Sequence, residues 1–356
     1  SINGTVAYNN LTPLFSVYPQ NLDWVKIPRQ LNLSTSYRLK PSAAESFKFD
    51  AVYGKSASGL RFNNIENDNN LSEFGIKNDN LLITSTYQNA LDANAKWVMK
   101  SGVSYSYNLD NLQIDAVKMG RTEQRSQARA VFVRSFEGNN SLTIGTEGHF
   151  AQYDLMIEKD RKKSNFLKTD SYGALFAESD FYITRKLAGR IGLRSEYSSL
   201  ASGFNTASRF SLAYKTGTYS QVSVAGGKFY QTPDYQYYFY NKDLQFENAT
   251  HAVLNYQLIK NKRTFRIEGY YKKYDNLVRE YPNQVGYFEA NPRRFPNGKA
   301  DNSGYGFAQG IDLFFRDSKT LKNGDFWFFW KFVGKGLVPM DLLSVNSAIF
   351  KGKYMG

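Results

Sequence analysis

The stretch Arg263-Thr264-Phe265-Arg266-Ile267-Glu268-Gly269-Tyr270-Tyr271-Lys272-Lys273-Tyr274 decides how this chain folds. Side chains of a strand alternate between its two faces. Phe265, Ile267, Gly269 and Tyr271 therefore share one face, and Arg266, Glu268, Tyr270 and Lys272 share the other. The same ribbon, roughly ten or more residues at a time, recurs through most of the sequence and is broken by polar loops. A soluble sheet can also bury one apolar face. Here the apolar faces are rich in Tyr, Phe and Trp, and helix-period segments are hard to find. The economical solution is an all-β, antiparallel transmembrane barrel with lipid outside and a wet, charged interior.

Composition narrows the choice. Aromatic residues make up 16% of the 356 residues, more than a plain soluble core needs. The mean hydropathy is nevertheless −0.51. No apolar run reaches the ~18 residues of a membrane helix. A barrel resolves the conflict, because half of each strand is polar. The absence of Cys fits an oxidising compartment. The formal charge of +13 raises nucleic acid as a partner. However, Lys and Arg are interleaved with Glu and Asp, and no recognition helix or basic block stands out, so no nucleic acid is expected. Anionic lipid headgroups or an anionic ligand accommodate the charge more easily.

Working outward along the chain, residues 1–23 read as an extended, loop-like segment or part of a strand, and 24–333 as the barrel portion. Leu31, Leu33, Thr35, Tyr37 and Leu39 alternate with Asn32, Ser34, Ser36 and Arg38, and a Pro-Ser-Ala-Ala-Glu turn leads into Phe47, Phe49, Ala51 and Tyr53. The Asn- and Asp-rich residues 62–80 read as a long outer loop, and 110–125 as another longer connection. Thr143, Glu147 and His149 are assigned to the lumen, as are Arg190, Arg194 and Glu196. Long loops are expected at 231–247, which is aromatic-rich, and at 280–302. About fourteen strands are predicted, in a rhythm of short turn and long loop. After Trp330 the alternation fades, so 334–356 reads as an irregular, basic tail, non-native or cut short. With no initiator Met and no signal peptide, a truncated sequence is expected.

Several stretches go beyond alternation. Leu175-Phe176-Ala177-Glu178-Ser179-Asp180-Phe181-Tyr182-Ile183-Thr184, followed by Gly192-Leu193-Arg194-Ser195-Glu196-Tyr197, resembles the mid-barrel hairpin of TonB-dependent outer-membrane receptors. Ser208 to Lys215, then Gly227-Lys228-Phe229-Tyr230-Gln231-Thr232-Pro233, resembles the family's strand ending in Gln-x-Pro before a large loop. Leu244, Glu247, Ala249 and His251, the opening stretch 266–274, and Asn302 to Leu313 are similar to the strands that follow, with Asp312 where Glu is commoner. The likeness is strong over 170–330 and only barrel-like over 24–160. It implies about fourteen strands of a 22-stranded barrel, in a bacterial outer membrane. The N-terminal plug, its energy-coupling box and the final strands are absent from this stretch. The implied function is energised uptake of a scarce ligand (iron chelate, cobalamin, glycan or peptide), with the inner-membrane TonB complex acting through the plug. A passive porin or a surface-display or adhesion barrel is the alternative. An enzyme or a soluble sugar-binding protein is a third reading. An unclosed sheet leaves unpaired edges in hydrocarbon, so this portion alone is not expected to be stable in a membrane.

Candidate ligand- or lumen-facing residues are Arg194, Glu196, Arg266, Glu268 and Lys272 on strand faces, and Tyr235, Tyr237 and Tyr238 in the aromatic loop. The charged set also suits a mutually paired wall lattice, and the tyrosines an interfacial girdle. His149 and His251, the two histidines, have no companions at ligand spacing, so no metal and no cofactor is expected. No nucleophile elbow, zinc-protease motif or phosphate-cradling loop occurs, so no catalytic residue is assigned. Glu178 and Asp180 are expected to pair with a neighbouring Arg.

Overall fold

The computed structural model describes residues 1–18, 20–64, 70–159, 161–282, 298–320 and 325–336. They form one antiparallel sheet of fifteen strands, each paired with its neighbours in the chain. The strands are β1 (Ile2–Asn10), β2 (Asp23–Leu39), β3 (Glu45–Asn64), β4 (Asn70–Ala90), β5 (Trp97–Ile114), β6 (Val117–Ser135), β7 (Ser141–Lys159) and β8 (Lys162–Tyr182). They continue as β9 (Leu187–Ser198), β10 (Gly203–Lys215), β11 (Ser220–Gln231), β12 (Glu247–Lys260), β13 (Arg263–Pro282), β14 (Gly298–Asp317) and β15 (Phe326–Gly336). A short helix α1 (Thr12–Val17) links β1 to β2. No described helix is long and apolar enough to cross a membrane. The sheet is an open portion of a barrel, with β1 and β15 as its two edges.

Register carries one face across all fifteen strands. Arg266 and Glu268 of β13 stand opposite Gln257 and Asn255 of β12, and Glu268 stands opposite Asp312 of β14. Followed strand by strand, the same face carries Arg209, Arg194, Glu147, Arg129 and Asn108. The other face carries Leu33, Val103, Ile144, Leu193, Phe210, Leu254, Ile267, Ile311 and Trp330, all exposed. On β2 the outward residues from Leu31 to Leu39 include no ionised group. That stretch is about 27 Å long at ~3.4 Å per residue, or about 20 Å tall after a ~40° tilt, close to the apolar band of an outer-membrane barrel. Side chains exposed there must meet hydrocarbon, because apolar patches of this extent are not left in water.

Two expectations change. Residues 62–80 are not one long loop: β3 runs to Asn64 and β4 starts at Asn70, with continuous pairing on both sides. Residues 110–125 are not a connection either, since β5 and β6 are joined by Asp115 and Ala116 alone. In both hairpins the strands continue beyond the apolar belt. The outward face there carries Lys55 and Asp79, 3.2 Å apart, and the Tyr53 hydroxyl donates to Asp79. Water on both faces removes the alternation while the backbone ladder persists. The fifteen strands of the sheet accord with the about fourteen expected. The first of them is Ile2–Asn10, paired along its length with β2, and β15 continues to Gly336, into the part read as tail. Residues 337–356 lie outside the described residues, as does 283–297 of the 280–302 loop.

Local sequence explains the joints. The β12–β13 turn is Asn261-Lys262, both at positive φ (53° and 61°), the two-residue geometry that matches strand twist. Pro28 sits inside β2 where the β2–β3 register shifts, so its missing N–H interrupts no regular ladder.

Candidate functional site

The inner face of β6 to β9 concentrates interacting polar side chains. Register sets Glu147 opposite Arg129, His149 opposite Gln127 and Tyr172, and Glu196 and Arg194 opposite Ala174 and Phe176. Arg194 then binds three partners. Its guanidinium donates to Glu147 at 2.5 Å, to Glu196 at 2.9 Å and to the Tyr172 hydroxyl at 2.6 Å. The Tyr172 hydroxyl donates in turn to Glu196 at 2.5 Å. Arg129 lies 3.6 Å from the other Glu147 oxygen, and both arginines cover the Phe176 ring. Phe176 spreads over Gly145, where any Cβ would strike the ring.

Towards the loop rim a second cluster centres on Asp170, which is almost fully buried. Its carboxylate accepts from the Ser198 hydroxyl at 2.8 Å and the Leu200 N–H at 3.2 Å, and it lies 3.3 Å from His149 Nε2. His149 stacks on Tyr172 at 4.7 Å. A third group runs along β5 and β6: Arg121 binds Asp110 at 2.7 Å and Glu123 at 3.3 Å.

The aromatic loop between β11 and β12 folds onto this wall. Residues Tyr235–Phe239 make a 3₁₀ turn, capped by the Asp234 side chain accepting from the Gln236 N–H. Tyr235 stacks on Tyr153 of β7 with ring centres 4.1 Å apart, and its hydroxyl donates to Glu123 of β6 at 2.8 Å. Phe239 packs against Phe166 of β8. Tyr238, 1% exposed, joins Leu200 and Leu244 in a small core, with Tyr235, Tyr237 and Val278 around it. The Tyr238 hydroxyl and Gln236 Oε1 are buried without a hydrogen-bond partner among the described residues. Burial, then the nearby Glu123 carboxylate, pushes the Tyr235 hydroxyl well above the usual tyrosine range. Burial, then Asp170 and Glu247, does the same to Tyr238. Both stay neutral, and Tyr235 keeps the proton it donates to Glu123.

The structure thus brings Arg194, Glu196, Tyr235, Tyr237 and Tyr238 to one region of the inner wall. It does not bring Arg266, Glu268 and Lys272 there. These lie on β13, where Arg266 covers Phe314, Lys272 covers Tyr270, and Glu268 accepts from Asn255 at 3.2 Å. Arg190 bridges Glu178 and Asp180 at 3.5 and 2.5 Å. His251 lies between Phe229 and Tyr274. Among the described residues, no three His, Asp or Glu converge as metal ligands. Sequence reasoning missed Arg121, Glu123, Tyr153, Asp170 and Tyr172. Once β6 is known to begin at Val117, register alone sets Glu123 opposite Tyr153.

A charge-free outer belt around a wall of paired charges defines an outer-membrane β-barrel. No protein-family model matches the sequence, and no curated protein does. Solved structures do match. The siderophore receptor PirA from Pseudomonas aeruginosa aligns with 94% of this chain and 66% of its own, at TM-score 0.60 and 10% identity. The ferric yersiniabactin uptake receptor FyuA from Yersinia pestis aligns with 87% and 52%, at 0.68 and 10%. The Serratia marcescens hemophore receptor HasR, solved with its hemophore and heme, aligns with 93% and 59%, at 0.62 and 12%. The chain therefore has the barrel fold of the TonB-dependent outer-membrane receptors. It spans between about half and two thirds of the length of these receptors.

Proposed function

We propose that this chain is the wall-and-loop portion of a receptor that captures a scarce ligand outside the cell and admits it through the lumen in an energised step. The observation that carries the reading is the inner wall itself: charged, hydrogen-bonded and overlaid by an inward-folded aromatic loop, inside a belt fit for lipid. Fold similarity to proteins named as siderophore, yersiniabactin and hemophore receptors supports it. The barrel's chemistry is recognition and passage, with no bond made or broken. Energy would come from the inner-membrane TonB complex through a plug, and outer-membrane lipid would surround the belt.

A test uses cells carrying the full-length protein and a panel of labelled ferric siderophores, cobalamin, oligosaccharide and peptide. One ligand should enter in a saturable way and stop when an uncoupler collapses the proton gradient. Uptake indifferent to the uncoupler, together with steady conductance in a planar bilayer, would establish a passive pore instead.

A further inference from the structure

A cleft of roughly 320 Å³ opens on the inner wall between the aromatic loop and β6 to β9. It is lined by Arg125, Gln127, Glu147, His149, Asp170 and Tyr172 among others, and Tyr235 forms part of its wall. We propose that this cleft binds a neutral polyhydroxylated ring, one sugar unit of a glycan; the assignment rests on the uptake reading above and names its substrate class.

Charge accounting favours a neutral ligand. Every carboxylate of the cleft is already engaged from the wall. Glu147 holds Arg194 and Arg129, Glu196 holds Arg194 and Tyr172, and Asp170 holds Ser198, the Leu200 N–H and His149. Counting Arg125, Arg129 and Arg194 against these three carboxylates, the formal charges around the cleft balance, so it offers a cation no net attraction. Arg125 is the exception among the charged groups. It donates to the Tyr153 hydroxyl at 3.0 Å and makes no ion pair among the described residues. Three carboxylates share its cleft, however, and oppose an anion placed beside it.

A sugar hydroxyl needs neither charge. It donates to one group and accepts from another, and the cleft supplies both kinds. Arg125 has N–H groups beyond the one given to Tyr153. The Gln127 amide, a donor and an acceptor together, makes no hydrogen bond to another described residue and lies in register beside His149. Tyr153, Tyr172 and Tyr235 add apolar ring surface for the sugar's C–H edges. The volume sits near the lower end of the ~300–1,000 Å³ typical of small-molecule sites, suited to one ring at a time and not to a bulky chelate. The cleft also adjoins the loop rim, at Gln231, Thr232 and Pro233, where an external ligand would arrive.

The test is calorimetric titration of the full-length protein in detergent micelles with maltose, cellobiose and chitobiose, and with citrate as the anionic probe. One neutral disaccharide should bind with a dissociation constant below about 1 mM, and citrate should not. Arg125→Ala and Gln127→Ala should each weaken binding roughly tenfold, the loss of one hydrogen bond. Arg38→Ala, on the distant β2, should leave it unchanged, and heat-modifiable migration checks that every variant is folded. No disaccharide binding overturns the proposal, as does binding that folded Arg125→Ala and Gln127→Ala retain. Citrate binding abolished by Arg125→Ala also overturns it, and assigns an anion site. Titration needs no energy source, so the two readings fail separately. Disaccharide binding without uncoupler-sensitive uptake removes the transport reading and keeps the cleft. Uptake of another ligand that both variants leave intact removes the cleft and keeps transport.

Discussion

Replacing Arg194 by Ala tests whether the inner wall is held by its charges. Arg194 donates to Glu147 at 2.5 Å and Glu196 at 2.9 Å, with side-chain exposures of 19%, 17% and 8%. A hydrogen bond to a charged group contributes about 1.5–3 kcal/mol when well buried. Lumen water screens these pairs, and Glu147 keeps Arg129 while Glu196 keeps the Tyr172 hydroxyl. Discounting by roughly half for screening leaves an expected loss of about 1.5–3 kcal/mol. Most of that is the cost of stranding two carboxylates, not the net value of the ion pairs. Neutralising all three positions together, Arg194→Met with Glu147→Gln and Glu196→Gln, should therefore restore stability to within about 1 kcal/mol of the parent. The assay is urea unfolding of the full-length protein in micelles, scored by heat-modifiable migration. A folded Arg194→Ala variant within about 0.5 kcal/mol of the parent would refute the reasoning, because that is the range of an ordinary surface change. A triple variant as unstable as the single one would refute it equally.

Other consequences follow from the two faces and the loop. Leu193→Arg puts a charge in the middle of the lipid-facing belt and should cost about 2–4 kcal/mol in the same unfolding assay, near the value for a barrel midplane. Gly189→Ala would place a Cβ 2.5 Å from Phe181 Cζ and should lower stability by about 1–3 kcal/mol as that ring is displaced. Tyr235→Phe removes the hydroxyl bound to Glu123 but keeps the stack on Tyr153, so amide hydrogen exchange should rise roughly tenfold in 232–246 and stay unchanged in the strands. In the β4–β5 turn, Asp92 accepts the Trp97 and Lys96 N–H groups at 2.7 and 3.2 Å, which lowers its carboxyl below the usual range. A depressed folded value means that this contribution is present above the unfolded value near ~3.9 and is lost as pH falls through the folded one. Asp92→Asn should flatten that acid-side decline, read as urea midpoints compared across about pH 2 to 5.

The alternation that identified the barrel is a record of unequal solvents. Where one face meets lipid and the other water, the period of two is written into the sequence, and register sets Arg194, Glu196, Arg266, Glu268 and Lys272 on one common face. Where both faces meet water, selection on the faces relaxes. Residues 62–80 and 110–125 then look like loops although the ladder runs through them. That blind spot also hides part of the site, Arg121 and Glu123. Glu123 lies inside 110–125, so its strand neighbour Tyr153 and its distant partner Tyr235, 112 positions away, have no visible relation in the sequence. The choice between girdle and ligand contact for Tyr235, Tyr237 and Tyr238 could not be made for the same reason. Their packing depends on a wall that the local pattern does not reveal. Once β6 is extended to Val117, however, the placement has a physical cause. Tyr153 is presented beside Glu123 on the inner face, an aromatic platform next to a carboxylate. A tyrosine matches that pair with its ring and its hydroxyl together, which phenylalanine at 235 would do only by half.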